Sequence, residues 1–257
     1  MRGGRNPTTF FKRVLVALAG RAGIVLMRRS TDPWYVVSRF LRDRPHPVVF
    51  DVGANVGQTA THCSRMLPGA SVYSFEPSPT TYRALRAAVS RLPNVQTFNI
   101  GMGEQAETLT LLENSGSDMS SFLRPDRDAW GEIVRETPVE VWSVDRFREV
   151  HNIDRIDILK TDTQGFDLAV LRGARETLAA NGVDVILTEV IFGPMYEGIP
   201  RFDELLGYAL DYGFRFVGLY GVEQQHGVPG WADALLVHER LLAKPESTAV
   251  ASRAAST

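Results

Sequence analysis

From Pro47 onward, short apolar runs alternate with longer stretches in which apolar residues recur every three or four positions. That rhythm predicts strands and helices in turn, and hence a mainly parallel α/β sheet. A strand is expected over 47–52, a helix over 56–67 closed by Pro68-Gly69, and a strand over 70–76 ending at Glu76-Pro77. Ser78 then caps a helix with Pro79 in its first turn and Tyr82, Leu85, Val89 and Leu92 along one face. A third strand over 95–100 stops at Gly101-Met102-Gly103. Between 104 and 145 the rhythm breaks: 107–112 and 139–144 read as antiparallel strands, and 114–121 as a polar loop suited to covering a ligand. A strand over 156–160 resumes the pattern, with a helix that turns Leu168, Leu171, Ala174 and Leu178 inward and stops at Asn181-Gly182. A strand over 185–190, a loop over 192–200, a helix over 201–212, a strand over 215–219, a loop over 220–231 and a last strand over 234–237 follow.

Upstream of this region, residues 10–29 place Phe11, Val14, Leu15, Leu18, Ala22, Val25 and Leu26 on one helical face, bordered by basic residues. Arg21 interrupts the apolar run, which is too short to span a bilayer. Two readings stay open. One is a helix packed on the domain, with Asp32-Pro33 starting a second helix over 34–41; the other is a basic amphipathic helix resting on an anionic membrane surface. Length and composition favour one sizeable domain: 257 residues, 44% hydrophobic. The expected division is a basic helical extension over 1–45, an α/β domain over 46–240, and a disordered Ala/Ser/Thr-rich tail over 241–257.

The net charge of −2 argues against a nucleic-acid partner bound through overall basicity. The charge is uneven, since residues 1–44 hold ten basic and two acidic residues, +8, leaving −10 for the remainder. The expected location is the cytoplasm, with peripheral contact at the inner membrane face if residues 10–29 take the second reading. A single cysteine, Cys63, excludes an internal disulfide and reads as a small buried apolar residue in a helix.

The most informative stretch is Val48-Val49-Phe50-Asp51-Val52-Gly53-Ala54-Asn55-Val56-Gly57-Gln58, an apolar strand running through an acid into a glycine-flanked turn and a helix. The glycines free the backbone, the helix start offers unpaired N–H groups to an anion, and Asp51 offers the opposite charge. A zwitterion suits both. D-x-G-x-x-x-G departs from the G-x-G-x-x-G of dinucleotide sites and is similar to the loop of S-adenosylmethionine (SAM) enzymes. Glu76 lies 25 residues after Asp51, at the end of the expected neighbouring strand, where a carboxylate can accept bonds from ribose hydroxyls. Glu189, acidic in an otherwise apolar strand, wants a partner, an ion or a task.

Taken together, these residues resemble the FkbM-type SAM-dependent methyltransferases. The resemblance rests on Phe50–Gly57, Phe75-Glu76-Pro77, the stretch from Ile158 to Asp167 with Val170-Leu171-Arg172-Gly173-Ala174, Glu189, and Ala232-Asp233-Ala234-Leu235-Leu236-Val237. It implies a Rossmann-like class I methyltransferase fold, a mainly parallel seven-stranded sheet flanked by helices, with SAM as methyl donor. By position it implies that Asp51, Gly53, Asn55 and Gly57 hold the methionine part of SAM, Glu76 its ribose, and Asp162 the reaction centre. The family commonly shows K-I-D-V-E-G where this chain has Lys160-Thr161-Asp162-Thr163-Gln164-Gly165, so the carboxylate at Gln164 is missing and Asp162 is kept.

The implied reaction is methylation of a hydroxyl, foremost on a sugar of a glycolipid or glycoside, alternatively on a polyketide; a non-catalytic SAM-fold partner protein is the competing class. Three side chains are candidates for the proton acceptor: Asp162, Glu189 and His226, the last because imidazole exchanges protons near neutral pH. Asp162 and Glu189 could share a Mg²⁺ through oxygen ligands, although no metal is expected. Nothing at 161–164 resembles the Asn/Asp-Pro-Pro-Tyr/Phe of nucleic-acid base methyltransferases.

Overall fold

A computed structural model describes residues 32–242. The expected helix over 10–29, its membrane contact and the tail from 244 lie outside the described residues. A seven-stranded sheet forms the centre, in the order β3-β2-β1-β7-β8-β10-β9. Its strands are β1 (Val48–Val52), β2 (Ser71–Phe75), β3 (Val95–Phe98), β7 (Ile156–Thr161), β8 (Val183–Ile191), β9 (Phe214–Gln225) and β10 (Val228–His238). β1, β2, β3, β7 and β8 pair in parallel, whereas β10 runs antiparallel to both β8 and β9. This is the expected class I methyltransferase architecture.

Strands buried on both faces read as continuous apolar runs, and here each neighbouring pair of residues divides between two cores. Val49, Ile158, Val185 and Leu235 face helices α1 (Pro33–Phe40), α2 (Gln58–Met66) and α3 (Pro79–Val89), through Trp34, Val37, Cys63, Leu85 and Val89. Phe50, Leu159, Ile186 and Leu236 face α4 (Val144–Val150), α5 (Asp167–Arg172), α6 (Arg175–Ala179) and α7 (Phe202–Asp211), through Phe147, Val170, Leu178 and Leu205. Trp34 and Val37 make α1 part of the first core, and Asp32 caps it by accepting from the Trp34 N–H. Cys63 is fully buried and its thiol is pushed up to about 12, first by burial and then by Asp51, so it stays inert.

Several expected boundaries move for identifiable reasons. The second expected insertion strand ends at Trp142, not 144, because Ser143 accepts from the Arg146 N–H and starts α4. The insertion is a small sheet, β4-β6-β5, of β4 (Gly101–Met102), β6 (Ile133–Trp142) and β5 (Glu107–Asn114), so Gly101-Met102 is a strand and not merely a stop. The expected single helix after β7 is broken into α5 and α6 at Gly173, where a Cβ would stand 1.9 Å from the Gly103 carbonyl oxygen. The expected loop over 220–231 is a hairpin whose two strands run through it, and its tip, His226-Gly227, takes positive φ at both residues (53° and 80°).

Candidate active site

The carboxyl ends of the parallel strands open into a cavity of about 320 Å³, the place where open α/β sheets bind ligands. Along this edge the chain sets Glu76 after β2, Gly53–Asn55 after β1, Asp162 after β7, Glu189 on β8 and Trp231 on β10. Residues 117–121, the C-terminal part of the expected covering loop over 114–121, line the same cavity. Ser117 donates to the Asn55 side chain (3.0 Å) and Ser121 to the Gln164 carbonyl (2.8 Å), which ties the loop across both turns.

A polar stripe crosses the sheet beneath the cavity. Ser74, Asp51 and Lys160 are register partners on β2, β1 and β7, so parallel pairing turns their side chains to one face. Asp51 is fully buried; it accepts from Ser74 (3.1 Å) and stands 3.6 Å from the Lys160 ammonium, which also reaches Asp162 at 3.2 Å. Burial raises the Asp51 carboxyl, and Lys160 and Ser74 oppose that rise. Burial works against the Lys160 charge, but Asp162, Asp51 and Asp233 outweigh it and the ammonium is held above its ordinary value.

Glu76 places its carboxylate in the cavity wall, with Oε1 accepting from Ser78 N–H (2.9 Å) and Oε2 from Asn55 N–H (3.0 Å). Each oxygen keeps a second lone pair for a ligand hydroxyl. Burial, partly offset by those two bonds, pushes the group up to about 7. Glu189 is raised well above the ordinary carboxylate range, by burial first and then by Asp162, Asp167 and Asp233, with Lys160 opposing.

The structure gathers Gly53, Asn55, Glu76, Asp162 and Glu189 around one cavity. Three expected site residues do not line it. Asp51 lies beneath the floor and reaches the cavity only through Lys160, because both of its strand neighbours claim its carboxylate. Gly57 faces α3, where a Cβ would press on Leu85 at 3.0 Å and Val89 at 3.1 Å, so its glycine serves packing and a left-handed turn (φ 93°). His226 is carried away by the hairpin to an exposed tip, 3.7 Å from Asp128. Gly53 has its own constraint: a Cβ there would meet the Asp162 carbonyl oxygen at 1.9 Å.

Sequence reasoning did not place Lys160, Gln164 or the Trp130–Trp231 pair, all of which line the cavity, among the site residues. A lysine inside a buried apolar strand was the available signal for the first. The two tryptophans, 5.3 Å apart at 42°, both line the cavity and are distant in sequence, so no local pattern announces them.

The site fits SAM on its own chemistry. The start of α2 has no side-chain cap, leaving its N–H groups for a carboxylate; Asp162 offers charge to a cation; Glu76 offers oxygens to a diol. Residues 51–216 match the Methyltransferase FkbM domain, 166 residues of the 257-residue chain. The chain belongs to the FkbM methyltransferase family. It is a SAM-dependent methyltransferase, as the resemblance implied. The family member is similar to the 2-O-methyltransferase NoeI of Sinorhizobium fredii, 25% identical over 169 residues, covering 62% of this chain and 69% of that protein. It is also similar to the hexuronic acid methyltransferase AglP of Haloferax volcanii, 27% identical over 149 residues, covering 57% of this chain and 56% of that protein. Among solved structures, an rRNA methylase from Streptococcus thermophilus aligns at a TM-score of 0.48 and 12% identity, over 83% of this chain and 99% of that one.

Proposed function

We propose that this FkbM methyltransferase transfers the methyl group of SAM to a hydroxyl of a sugar-type acceptor, with Glu189 as proton acceptor. The observation that carries the reading is the position of Glu189: a half-buried carboxylate of raised basicity on the cavity wall, joined to Asp162 through the Gln164 amide. SAM, when bound, supplies an electrophilic methyl on a sulfonium. The chain's own contribution is to hold donor and acceptor in contact, worth up to about 7–11 kcal/mol, and to accept the hydroxyl proton, worth about 10²–10⁴-fold. A base raised toward the working pH is the stronger acceptor.

The division of the cavity follows from strand order. Glu76 and the β1 turn would hold the nucleoside and methionine parts, Asp162 the reaction centre, and the half bounded by Glu189, Met195, Trp130 and Trp231 the acceptor. Two tilted indoles beside carboxylates suit a ring with apolar faces and hydroxyl edges, which is a sugar's surface. The hexuronic acid in AglP's name supports that class, NoeI's 2-O-methyltransferase name supports an oxygen as the methyl acceptor, and the +8 charge of residues 1–44 supports an acceptor presented at an anionic surface. The test is transfer of labelled methyl from SAM to a panel of glycosides, glycolipids and polyketide alcohols. Incorporation confined to compounds without a sugar ring overturns the acceptor class. Trp231→Ala is expected to raise the acceptor KM roughly tenfold, about 1.4 kcal/mol, while leaving SAM affinity unchanged.

Glu76→Ala is expected to weaken SAM binding by about 1.5–3 kcal/mol, the cost of two hydrogen bonds to a charged acceptor. Since burial pushes the Glu76 carboxyl up to about 7, wild-type affinity for SAM should decline as pH falls below that value. The carboxylate, not the acid, accepts two hydroxyl donors. Calorimetry at pH 6 and 8 reads both effects, and a pH-independent wild-type Kd removes the ribose role.

A further inference from the structure

Gln164 holds a backbone conformation that an L residue enters at a cost, φ 54°, followed by Gly165 at φ 90°. Its side chain makes three contacts. Nε2 donates to Asp162 Oδ1 at 3.2 Å and to Glu189 Oε2 at 3.0 Å, while Oε1 accepts from the Tyr196 hydroxyl at 2.9 Å. Chemistry fixes the amide orientation: a carboxamide oxygen set between two carboxylates would repel both, and Nε2 has two protons for two acceptors. The backbone is fixed as well, since the Gln164 carbonyl accepts from Ser121 and Tyr196 is buried with its hydroxyl also 3.2 Å from the Met119 carbonyl. The amide is therefore clamped at both ends.

Two carboxylates sharing one donor atom ordinarily need a proton or a cation between them. We propose that Gln164 is a positioning residue whose amide occupies the place of that cation, joining Asp162 to Glu189 and leaving Glu189 a metal-independent proton acceptor with Oε2 engaged and Oε1 free for the substrate hydroxyl. The proposal rests on Glu189 being the base. The charges facing Glu189 are Asp162 from the turn after β7, Asp167 from α5, Asp233 from its register partner position on β10, and Lys160 from β7; Tyr196 faces it as a neutral phenol. With that surplus of acid, withdrawal of an amide donor makes the ionised form of Glu189 harder to keep. Substitution of the amide nitrogen by oxygen, Gln164→Glu, gathers three carboxylates about one point and turns the amide's place into a cation site.

The experiment compares wild type, Gln164→Leu and Gln164→Glu as full-length chains, each checked for folding by thermal melting and for SAM binding. Wild-type turnover is expected to be indifferent to chelator. Gln164→Leu should lower kcat tenfold or more with the SAM Kd within a few-fold, and should shift the acid limb of the kcat–pH profile upward. Gln164→Glu should bind Mn²⁺ in calorimetry with the metal alone, where wild type does not, and should recover turnover when Mn²⁺ is added. A Gln164→Leu profile superimposable on wild type, a Gln164→Glu protein that folds but binds no Mn²⁺, or wild-type activity lost to chelator and restored by metal each overturns the proposal. Failure of the base reading looks different: Glu189→Gln would then keep wild-type turnover while Gln164→Glu still gained its Mn²⁺ site.

Discussion

Glu189→Gln should cut turnover by about 10²-fold or more while SAM affinity stays within a few-fold of wild type. The substitution keeps the volume of the side chain and an oxygen that can still accept from Gln164 Nε2, so the packing around β8 has no reason to change. What is removed is the capacity to take a proton. The loss should therefore appear in kcat and in single-turnover rates, not in the SAM Kd. Asp162→Asn should differ by harming both, because Asp162 meets the Lys160 ammonium at 3.2 Å and lies on the path between donor and acceptor halves of the cavity. The wild-type acid limb should report a base raised above ordinary carboxylates, with turnover falling as Glu189 takes up a proton. If Glu189→Gln turns over within a few-fold of wild type, the hydroxyl proton goes elsewhere and the assignment fails.

Lys160→Met should destabilise the fold by about 3–5 kcal/mol, the usual cost of removing one partner of a buried ion pair. Lys160 is 5% exposed and Asp51 not at all, so water cannot replace the lost ammonium. Asp51 Oδ1 has no hydrogen-bond partner among the described residues, and the ammonium 3.6 Å away is what compensates it. The pH dependence has a definite sign. Asp51 is already raised in the folded state, and without Lys160 it rises further, so its folded form favours the proton more than the unfolded chain does. The deficit should therefore be smallest below about pH 4 and should grow as pH climbs through the folded value. Urea unfolding at pH 5 and pH 8 measures this, and an equal loss at both removes Asp51 as the group left uncompensated.

The fold was legible because its signals are local. Apolar runs at Val49-Phe50, Ile158-Leu159 and Val185-Ile186 announce strands covered on both faces, and Asp32, Ser78 and the Pro residues after them announce helix starts by capping chemistry that needs no distant partner. The glycine turn after β1 and the acid after β2 were readable for the same reason, since a short strand-to-turn motif fixes where its own residues point. Where the sequence reading went astray, a partner remote in the chain had decided the outcome. The long helix after β7 breaks at Gly173, where the Gly103 carbonyl leaves no room for a side chain and the remote Asp145 carboxylate accepts from the Glu176 and Thr177 N–H groups that start the second segment, and the loop over 220–231 is drawn into strands by pairing with β8 and with itself.

By itself, then, the sequence determined the class of fold, the glycine turn after β1 and the acids Glu76, Asp162 and Glu189 at the sheet edge. Only the tertiary structure decided which of the expected site residues line the cavity. It turned Asp51 inward to Lys160, set Gly57 against α3 and carried His226 to a hairpin tip. It also brought Gln164 between two carboxylates and two tryptophans, 101 positions apart, into one wall. The physical reason is that a strand end is specified by neighbours in the chain, whereas a hydrogen bond, an ion pair or a ring contact is specified by neighbours in space, and the sheet order alone creates those.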